Sequence, residues 1–316
     1  MSDSPFNTEI TEQDGVLIGP LRKPLQMLAE QEYDGHASIH DDETAQKMGF
    51  EGGTIEGPTH FSQFDPIGFQ LWGNRWFEEG CISAHYRNVC YEGDETRAFV
   101  KQTSDDFAEA WMERDDGMEV FRGSISVGQE TDSALQARMK GLREPGTLVI
   151  LHDVDVGMKS AEDMSITMDF DQHMGALYPF SLNQKNLKIT EPCRWYTSDD
   201  GAGSPWGHGI IPFEMVSVMS AGGNRSLPVR GPAVGLFADL EIRMIKGPLL
   251  VGEAYRMDKE IVAISDSRRT ESHWTLTSIK NSKGEVVATT LLNSATMKET
   301  YANYEKELAE IEGSAS

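Results

Sequence analysis

Two stretches of the chain carry the same order of signals: GFEGGTIEGPTHFSQF at residues 49–64 and WGHGIIPFEMVSVM at residues 206–219. Each contains a glycine-rich turn, a short apolar run, a proline, and then apolar residues at helical spacing. Proline is favoured in the first turn of a helix, where its missing N–H is not needed. The two stretches therefore predict two helices, which begin at Pro58 and Pro212.

The residues that follow these helices repeat as well. A strand-like segment with an arginine comes next, CISAHYRNVCYEGD in the first half and LFADLEIRMIKGPLLVGE in the second. Gly53 and Arg87 are 34 positions apart, and so are Gly209 and Arg243. This equal spacing predicts that the two arginines occupy matching strand positions and make the same structural contact.

A strand containing tryptophan and a turn complete each repeat. The turns are Asp116-Gly117 and Lys283-Gly284, and both lie between β-branched and aromatic runs, as hairpin connections do. Each repeat is thus predicted to form one central helix followed by three or four antiparallel strands. Since a sheet must cover its apolar face, we expect each sheet to wrap around its helix.

The predicted fold class is α+β, and the order of glycine turn, central helix and strand ending in Gly-acid resembles that of hot-dog proteins. This resemblance implies a double hot-dog arrangement of two antiparallel sheets, each wrapped around a central helix. A chain of 316 residues is long enough for two cores. We place an N-terminal domain at 1–145 and a C-terminal domain at 146–316, the latter ending in a helix over 298–312. Joining the two sheets edge to edge would remove exposed strand edges.

Composition limits the partners and the location. The net charge is −23, which repels polyanions, so we predict no nucleic-acid partner. The N-terminal residues lack a secretory signal and no apolar run is long enough to span a membrane, which predicts a cytoplasmic protein without membrane contact. Cys81, Cys90 and Cys193 have no metal-ligand spacing, so they are interpreted as buried or inert thiols.

The stretch EYDGHASIHDDETAQKMGFEGGTIEG at residues 32–57 resembles the catalytic region of MaoC-like hydratases and dehydratases, where Asp-x-Asn-Pro-Ile-His precedes an acid, an alanine and Gly-Phe. Ile39-His40, Asp42, Ala45 and Gly49-Phe50 match that pattern. The position of the family's catalytic aspartate holds Gly35, and Asp34 lies one residue earlier. Ala37 and Ser38 replace the asparagine and the proline.

This resemblance implies a double hot-dog protein acting on an acyl thioester of coenzyme A or of an acyl carrier, with no cofactor. Residues 193–215 resemble degenerate repeats that lack the acid and histidine, which implies that the first half works and the second forms a wall for the acyl chain. The partner prediction is a small-molecule acyl thioester, with a homodimer left open.

Hydration of a 2-enoyl thioester needs a base, an acid and donors to the thioester oxygen. His40 is the first candidate, with Asp34 as the carboxylate or His36 as the other partner. Glu56 and His60 bracket the turn into the central helix and complete the catalytic candidates. Backbone N–H groups near Gly57 or Thr59 are the candidate oxyanion donors, which is the binding role predicted for these two residues.

Other interpretations remain open from the sequence. One alternative interprets the histidines and Glu56 as structural groups, with the Glu56 charge interacting favourably with the helix dipole. His36, His40, Glu56 and His60 also offer three imidazoles and a carboxylate, but the spacing does not favour a metal site, and we predict none. A thioesterase using Glu56 or Asp34, or a non-catalytic acyl-binding protein, are the alternative functions. No G-x-S-x-G, P-loop or dinucleotide motif occurs.

Overall fold

A computed structural model describes residues 4–31, 39–47, 49–160, 164–221 and 227–314. Its strands are β1 (Thr11–Gln13), β2 (Val16–Ile18), β3 (Gly80–Tyr86), β4 (Thr96–Ser104), β5 (Phe107–Arg114), β6 (Glu119–Val127), β7 (Met164–Thr167), β8 (Gly235–Met244), β9 (Ala254–Asp266), β10 (Thr270–Lys280) and β11 (Val286–Met297). Its α-helices are α1 (Asp42–Lys47), α2 (Asp65–Trp72), α3 (Arg75–Glu79), α4 (Ala134–Met139), α5 (Leu182–Asn186), α6 (Phe213–Ser220) and α7 (Tyr304–Ser314). Short 3₁₀ segments include Gly57–Phe64, Arg194–Tyr196, Gly201–Gly203 and Lys298–Thr300.

The strands form one eleven-stranded sheet in the order β1-β2-β4-β5-β6-β3-β8-β11-β10-β9-β7. The order of the second half mirrors that of the first about the antiparallel β3–β8 pair, in which Ile82 lies opposite Ile242. The predicted α+β double hot-dog fold is confirmed, and its two sheets are joined edge to edge into a continuous one. The boundary between 145 and 146 falls between α4 and β7 and stays a prediction.

The central helix of each half begins within one residue of the predicted proline. In the first half the 3₁₀ segment Gly57–Phe64 has Pro58 in its first turn and continues directly into α2, which ends at Gly73 with a φ of 57°. In the second half α6 follows Pro212, and all its residues from 213 to 220 are buried. The first central helix is therefore longer and broken, whereas the second is a single short helix.

Aromatic side chains fill the space between the helices and the sheet. Trp76 stacks on Phe213 with ring centroids 4.7 Å apart, so the aromatic core joins the two halves. Trp76 and Phe77 are buried core residues, while Trp72 is partly exposed and donates its indole N–H to the Asp105 carbonyl oxygen. The three cysteines are buried free thiols, as expected.

The predicted hairpins are confirmed, because Gly117 and Gly284 have φ values of 84° and 78° in the turns between paired strands. The shared arginine contact is wrong. Arg87 lies beyond the end of β3 and pairs with Glu119 on the surface, at 2.8 Å. Arg243 is buried within β8 and donates to the Gly128 and Thr131 carbonyl oxygens. The equal glycine-to-arginine spacing did not place the two arginines at equivalent strand positions, because the chain between glycine and arginine follows a different path in each half.

Candidate functional site

The segment that carries the MaoC-like motif folds against the turn before the central helix. His40 places its Nδ1 2.7 Å from the Thr54 carbonyl oxygen, and the Thr54 N–H donates to the Ile39 carbonyl oxygen at 3.0 Å. The Asp42 carboxylate accepts a hydrogen bond from the Gly53 N–H at 2.7 Å. Asp34 and His36, the candidate partners of His40, lie outside the described residues, so their roles stay predictions.

The contact with Thr54 fixes the chemistry of the His40 ring. A carbonyl oxygen only accepts, so Nδ1 carries the proton and Nε2 is the basic nitrogen of the neutral ring. Burial lowers the pKa of His40 below its usual 6.5, and the backbone contact with Thr54 offsets part of that shift. His40 is therefore neutral at physiological pH and has the protonation state that a general base needs.

Gly53 is required by the close approach of the His40 backbone. A methyl group added at position 53 would lie 2.4 Å from the His40 carbonyl oxygen and 3.2 Å from the Asp42 carboxylate. Both neighbours are held by hydrogen bonds to residues 53 and 54, so they cannot move away without breaking the motif contacts. Within the glycine-rich turn predicted from the sequence, a glycine at position 53 is therefore required for steric reasons.

The start of the central helix contains both predicted oxyanion donors. The Thr59 N–H donates to the Glu56 carbonyl oxygen at 3.1 Å, so it is occupied within the first turn. Gly57 is the first residue of the 3₁₀ segment and is partly exposed. The first N–H groups of a helix have no acceptor within the helix, which leaves Gly57 as the better placed donor of the two.

Glu56 and Thr59 each form a hydrogen bond with a side chain from the second half, Glu56 with Tyr178 and Thr59 with Lys185. The Glu56 carboxylate accepts a hydrogen bond from the Tyr178 hydroxyl at 2.8 Å. The Lys185 ammonium donates to the Thr59 hydroxyl at 3.1 Å and lies 3.2 Å from the Glu214 carboxylate. All of these side chains are buried, so the polar cluster bridges the starts of the two central helices.

Burial dominates the electrostatics of this cluster. Desolvation raises the pKa of both Glu56 and Glu214, and the nearby Lys185 charge opposes the shift in each case. A carboxyl with a raised pKa retains a proton more readily near neutral pH, which suits a general acid. The pKa of Glu56 is thus set mainly by burial, and Lys185 and the Tyr178 hydrogen bond oppose that shift.

His60 is brought to the same helix turn but is fully enclosed. It is 1 % exposed, and its Nδ1 has no hydrogen-bond partner within the described part of the chain. Burial and the Lys185 charge lower the pKa of His60 to about 3. His60 is therefore a neutral and weakly basic ring at physiological pH, and it is buried, whereas His40 and Gly57 are each partly exposed.

Several residues of the site were not found from the sequence. Tyr178 and Lys185 come from the segment between β7 and α6, which has no matching motif in the first half, so the repeat gave no reason to single them out. Lys185 is in α5, a helix whose capping box of Ser181 and Gln184 was the one local signal. Tyr86 lies in the repeated strand segment, and no feature of that segment distinguishes it from a structural residue.

Among the described residues, no three His, Cys, Asp or Glu side chains are grouped as metal ligands are. None of the helices formed by these residues is long and apolar enough to cross a membrane.

Comparison with known proteins gives matches of structure rather than of sequence. No protein-family model and no curated protein sequence matches this chain. A MaoC-domain dehydratase from Chloroflexus aurantiacus aligns with a TM-score of 0.56 at 13% identity, over 92% of this chain and 95% of the other. A conserved hypothetical protein from Mycobacterium tuberculosis, described as a double hot-dog fold, aligns with a TM-score of 0.54 at 9% identity, over 93% and 99% of the two chains.

Both alignments extend over nearly the whole of each chain, so they include both halves and the way in which the halves are joined. At these identities the likeness concerns the fold. It agrees with the mirrored strand order. The chain has the double hot-dog fold that these two structures share with it.

Proposed function

We propose that this protein is a MaoC-like lyase that adds or removes water at the double bond of an acyl thioester. The observation that carries the proposal is the His40 ring, oriented by the Thr54 carbonyl at 2.7 Å so that Nε2 is its basic nitrogen. The orienting contact joins the motif segment to the turn before the central helix. A full-length structural likeness to a protein described as a MaoC-domain dehydratase supports the same reaction class.

In the hydration direction His40 Nε2 takes a proton from a water molecule whose oxygen bonds to the β-carbon of the enoyl group. The electron pair of the double bond moves towards the thioester carbonyl, and the α-carbon then takes the proton back from the protonated His40 ring, which regenerates the neutral histidine. The Gly57 N–H donates to the carbonyl oxygen while it carries enolate charge. Asp34 or His36 is the proposed partner that shares the water with His40.

An assay with crotonyl-CoA and longer enoyl-CoAs tests this proposal. We expect the enoyl absorbance to fall without release of free thiol. Because His40 has a lowered pKa, the acid limb of the kcat/KM profile should have an apparent pKa below 6.5. Unchanged absorbance with every enoyl thioester, whether linked to coenzyme A or to an acyl carrier, would contradict the proposal.

A thioesterase is the second candidate, and Glu56 favours it. This carboxyl precedes the central helix, is buried, and accepts a hydrogen bond from Tyr178. A carboxylate in that position activates a water against the thioester carbonyl in this second mechanism. Release of free thiol in an amount equal to the loss of enoyl-thioester absorbance would select it, and Glu56→Gln should then abolish the release.

A non-catalytic acyl-binding protein is the third candidate, and the same assay separates it from the others. It predicts tight binding of acyl thioesters with neither a change of absorbance nor release of thiol. The carrier also matters, because the net charge of −23 opposes the anionic coenzyme A unless local positive charge compensates. Weak binding that improves with salt would indicate this repulsion.

A further inference from the structure

The hydroxyl group of Tyr86 is buried at the start of the first central helix and has no hydrogen-bond partner within the described part of the chain. The residue as a whole is partly exposed, whereas its hydroxyl oxygen is buried. Tyr86 lies opposite Phe121 in the sheet, and the two rings meet edge to face with centroids 5.8 Å apart. The sheet therefore fixes the position of this hydroxyl.

The hydroxyl lies beside Gly57, the better placed oxyanion donor. A methyl group at position 57 would come within 2.4 Å of Tyr86 Cζ and 2.8 Å of its hydroxyl oxygen. Glycine at position 57 is thus what allows the tyrosine to approach the helix start. Both residues are partly exposed, whereas Glu56 and Pro58 on either side of Gly57 are buried.

A buried donor without an acceptor is destabilising, and buried polar groups in folded proteins are nearly always paired. Desolvation raises the pKa of Tyr86, and the Glu56 and Asp239 charges add to the effect. The hydroxyl consequently keeps its proton over the physiological range. A donor that stays protonated and unpaired at a partly open surface is suited to an oxygen acceptor of a ligand.

We propose that the Tyr86 hydroxyl donates a hydrogen bond to the carbonyl oxygen of the bound acyl thioester, next to the Gly57 N–H. The inference rests on the proposed function for the identity of the ligand. No proton is transferred from Tyr86: the hydrogen bond strengthens as the carbonyl oxygen gains enolate charge and relaxes when the α-carbon is protonated. Tyr86 and Gly57 together supply two donors to one oxygen.

The test is Tyr86→Phe, with Tyr301→Phe as a control whose hydroxyl pairs with Glu307 at the C-terminal helix. Loss of one oxyanion donor lowers kcat by roughly 10²-fold, with a smaller change in KM, because the interaction is strongest in the transition state. The thermal midpoint should be unchanged or higher, since an unpaired buried hydroxyl is removed. Tyr301→Phe should keep wild-type kcat.

Two results would overturn the inference. One is turnover of Tyr86→Phe within about twofold of wild type. The other is a clear drop in its thermal midpoint, which would mean that the hydroxyl already has an internal partner such as a bound water.

Calorimetric binding of butyryl-CoA separates this inference from the proposed function. If the wild type hydrates no enoyl thioester, the lyase proposal fails, and the role of Tyr86 is decided by binding alone. Weakening by at least about fivefold in Tyr86→Phe would support the donor to the carbonyl oxygen. Equal affinity of the two proteins, or no binding by either, would contradict it.

Discussion

The two halves share a fold but differ at the start of their central helices. In the first half Gly57 and Tyr86 are partly exposed and His40 lies on the adjoining segment, whose contact with Thr54 ties it to that helix start. In the second half α6 is buried along its whole length, and its acid, Glu214, is paired with Lys185. Duplication of a fold thus preserved the scaffold twice and left an accessible polar surface in one copy.

The inner face of the sheet also differs between the two halves, at positions that correspond to each other. Ala110 and Thr277 each lie seven residues before the positive-φ glycine of their hairpin. Ala110 is flanked across the strands by Val100 and Gly123, whereas Thr277 is flanked by Lys259 and Thr290. Lys259 donates to the Ser220 carbonyl at the end of α6. The shorter second helix is therefore accompanied by a polar sheet row in place of an apolar one.

The largest predicted effect concerns the lysine that joins the two helix starts. Lys185→Met removes the partner of Glu214 and of the Thr59 hydroxyl and leaves buried carboxyl groups uncompensated. We expect a loss of about 3–5 kcal/mol in the free energy of unfolding, measured with urea. Lys188→Met, an exposed lysine three residues later, is the control and should change stability little. Equal effects of the two substitutions would contradict the proposed bridge.

A matched pair of glycines tests the difference between the halves directly. Gly53→Ala places a methyl group against the His40 carbonyl oxygen, and Gly209→Ala places one 2.6 Å from the ring end of Phe170. Each should cost about 1–3 kcal/mol of stability through overpacking. Turnover should fall at least about tenfold only in Gly53→Ala, because His40 is displaced there. Similar turnover losses in both variants would remove the distinction between the halves.

The smallest expected effect, taken over a single pH unit, is a pH dependence of stability from Asp65. Burial raises the pKa of Asp65 to about 8, although Tyr196 and Trp76 donate hydrogen bonds to it. The folded state then binds the proton more tightly than the unfolded state, where the pKa is about 3.8. Stability is therefore highest below that value and falls as the pH rises towards 8, by at most about 1.4 kcal/mol per pH unit.

Urea unfolding between pH 4 and 8 checks this slope. Asp65→Asn should flatten it, and the exposed Asp115→Asn should leave it as in the wild type. A slope that is the same in all three proteins would mean that Asp65 is ionised in the folded state.

The sequence predicted the repeat because prolines, hairpin glycines and strand periodicity are local signals. The helix starts have a proline, Pro58 in the first turn of one and Pro212 directly before the other, and the hairpin turns have positive-φ glycines, Gly117 and Gly284. The register of Arg87 and Arg243 was mispredicted, since pairing between strands depends on the paths of the connections and not on spacing alone.

The site was predictable only in part, for a related reason. His40 and Gly57 were singled out by a contiguous motif and a helix start. Tyr178 and Lys185 come from more than a hundred residues later and reach the helix start through tertiary packing. Tyr86 is an unremarkable residue of a strand in the sequence, and its unpaired hydroxyl is visible only once the approach to Gly57 is known.

Hydration of crotonyl-CoA by His40→Ala and His208→Ala, measured side by side, tests the assignment of the active surface to the first half. His208 lies in the glycine-rich stretch of the second half and is exposed. We predict that His40→Ala loses at least ~10²-fold in turnover, the usual contribution of a general acid-base group, while His208→Ala keeps the wild-type rate. Wild-type turnover in His40→Ala, or an equal loss in His208→Ala, would contradict the account.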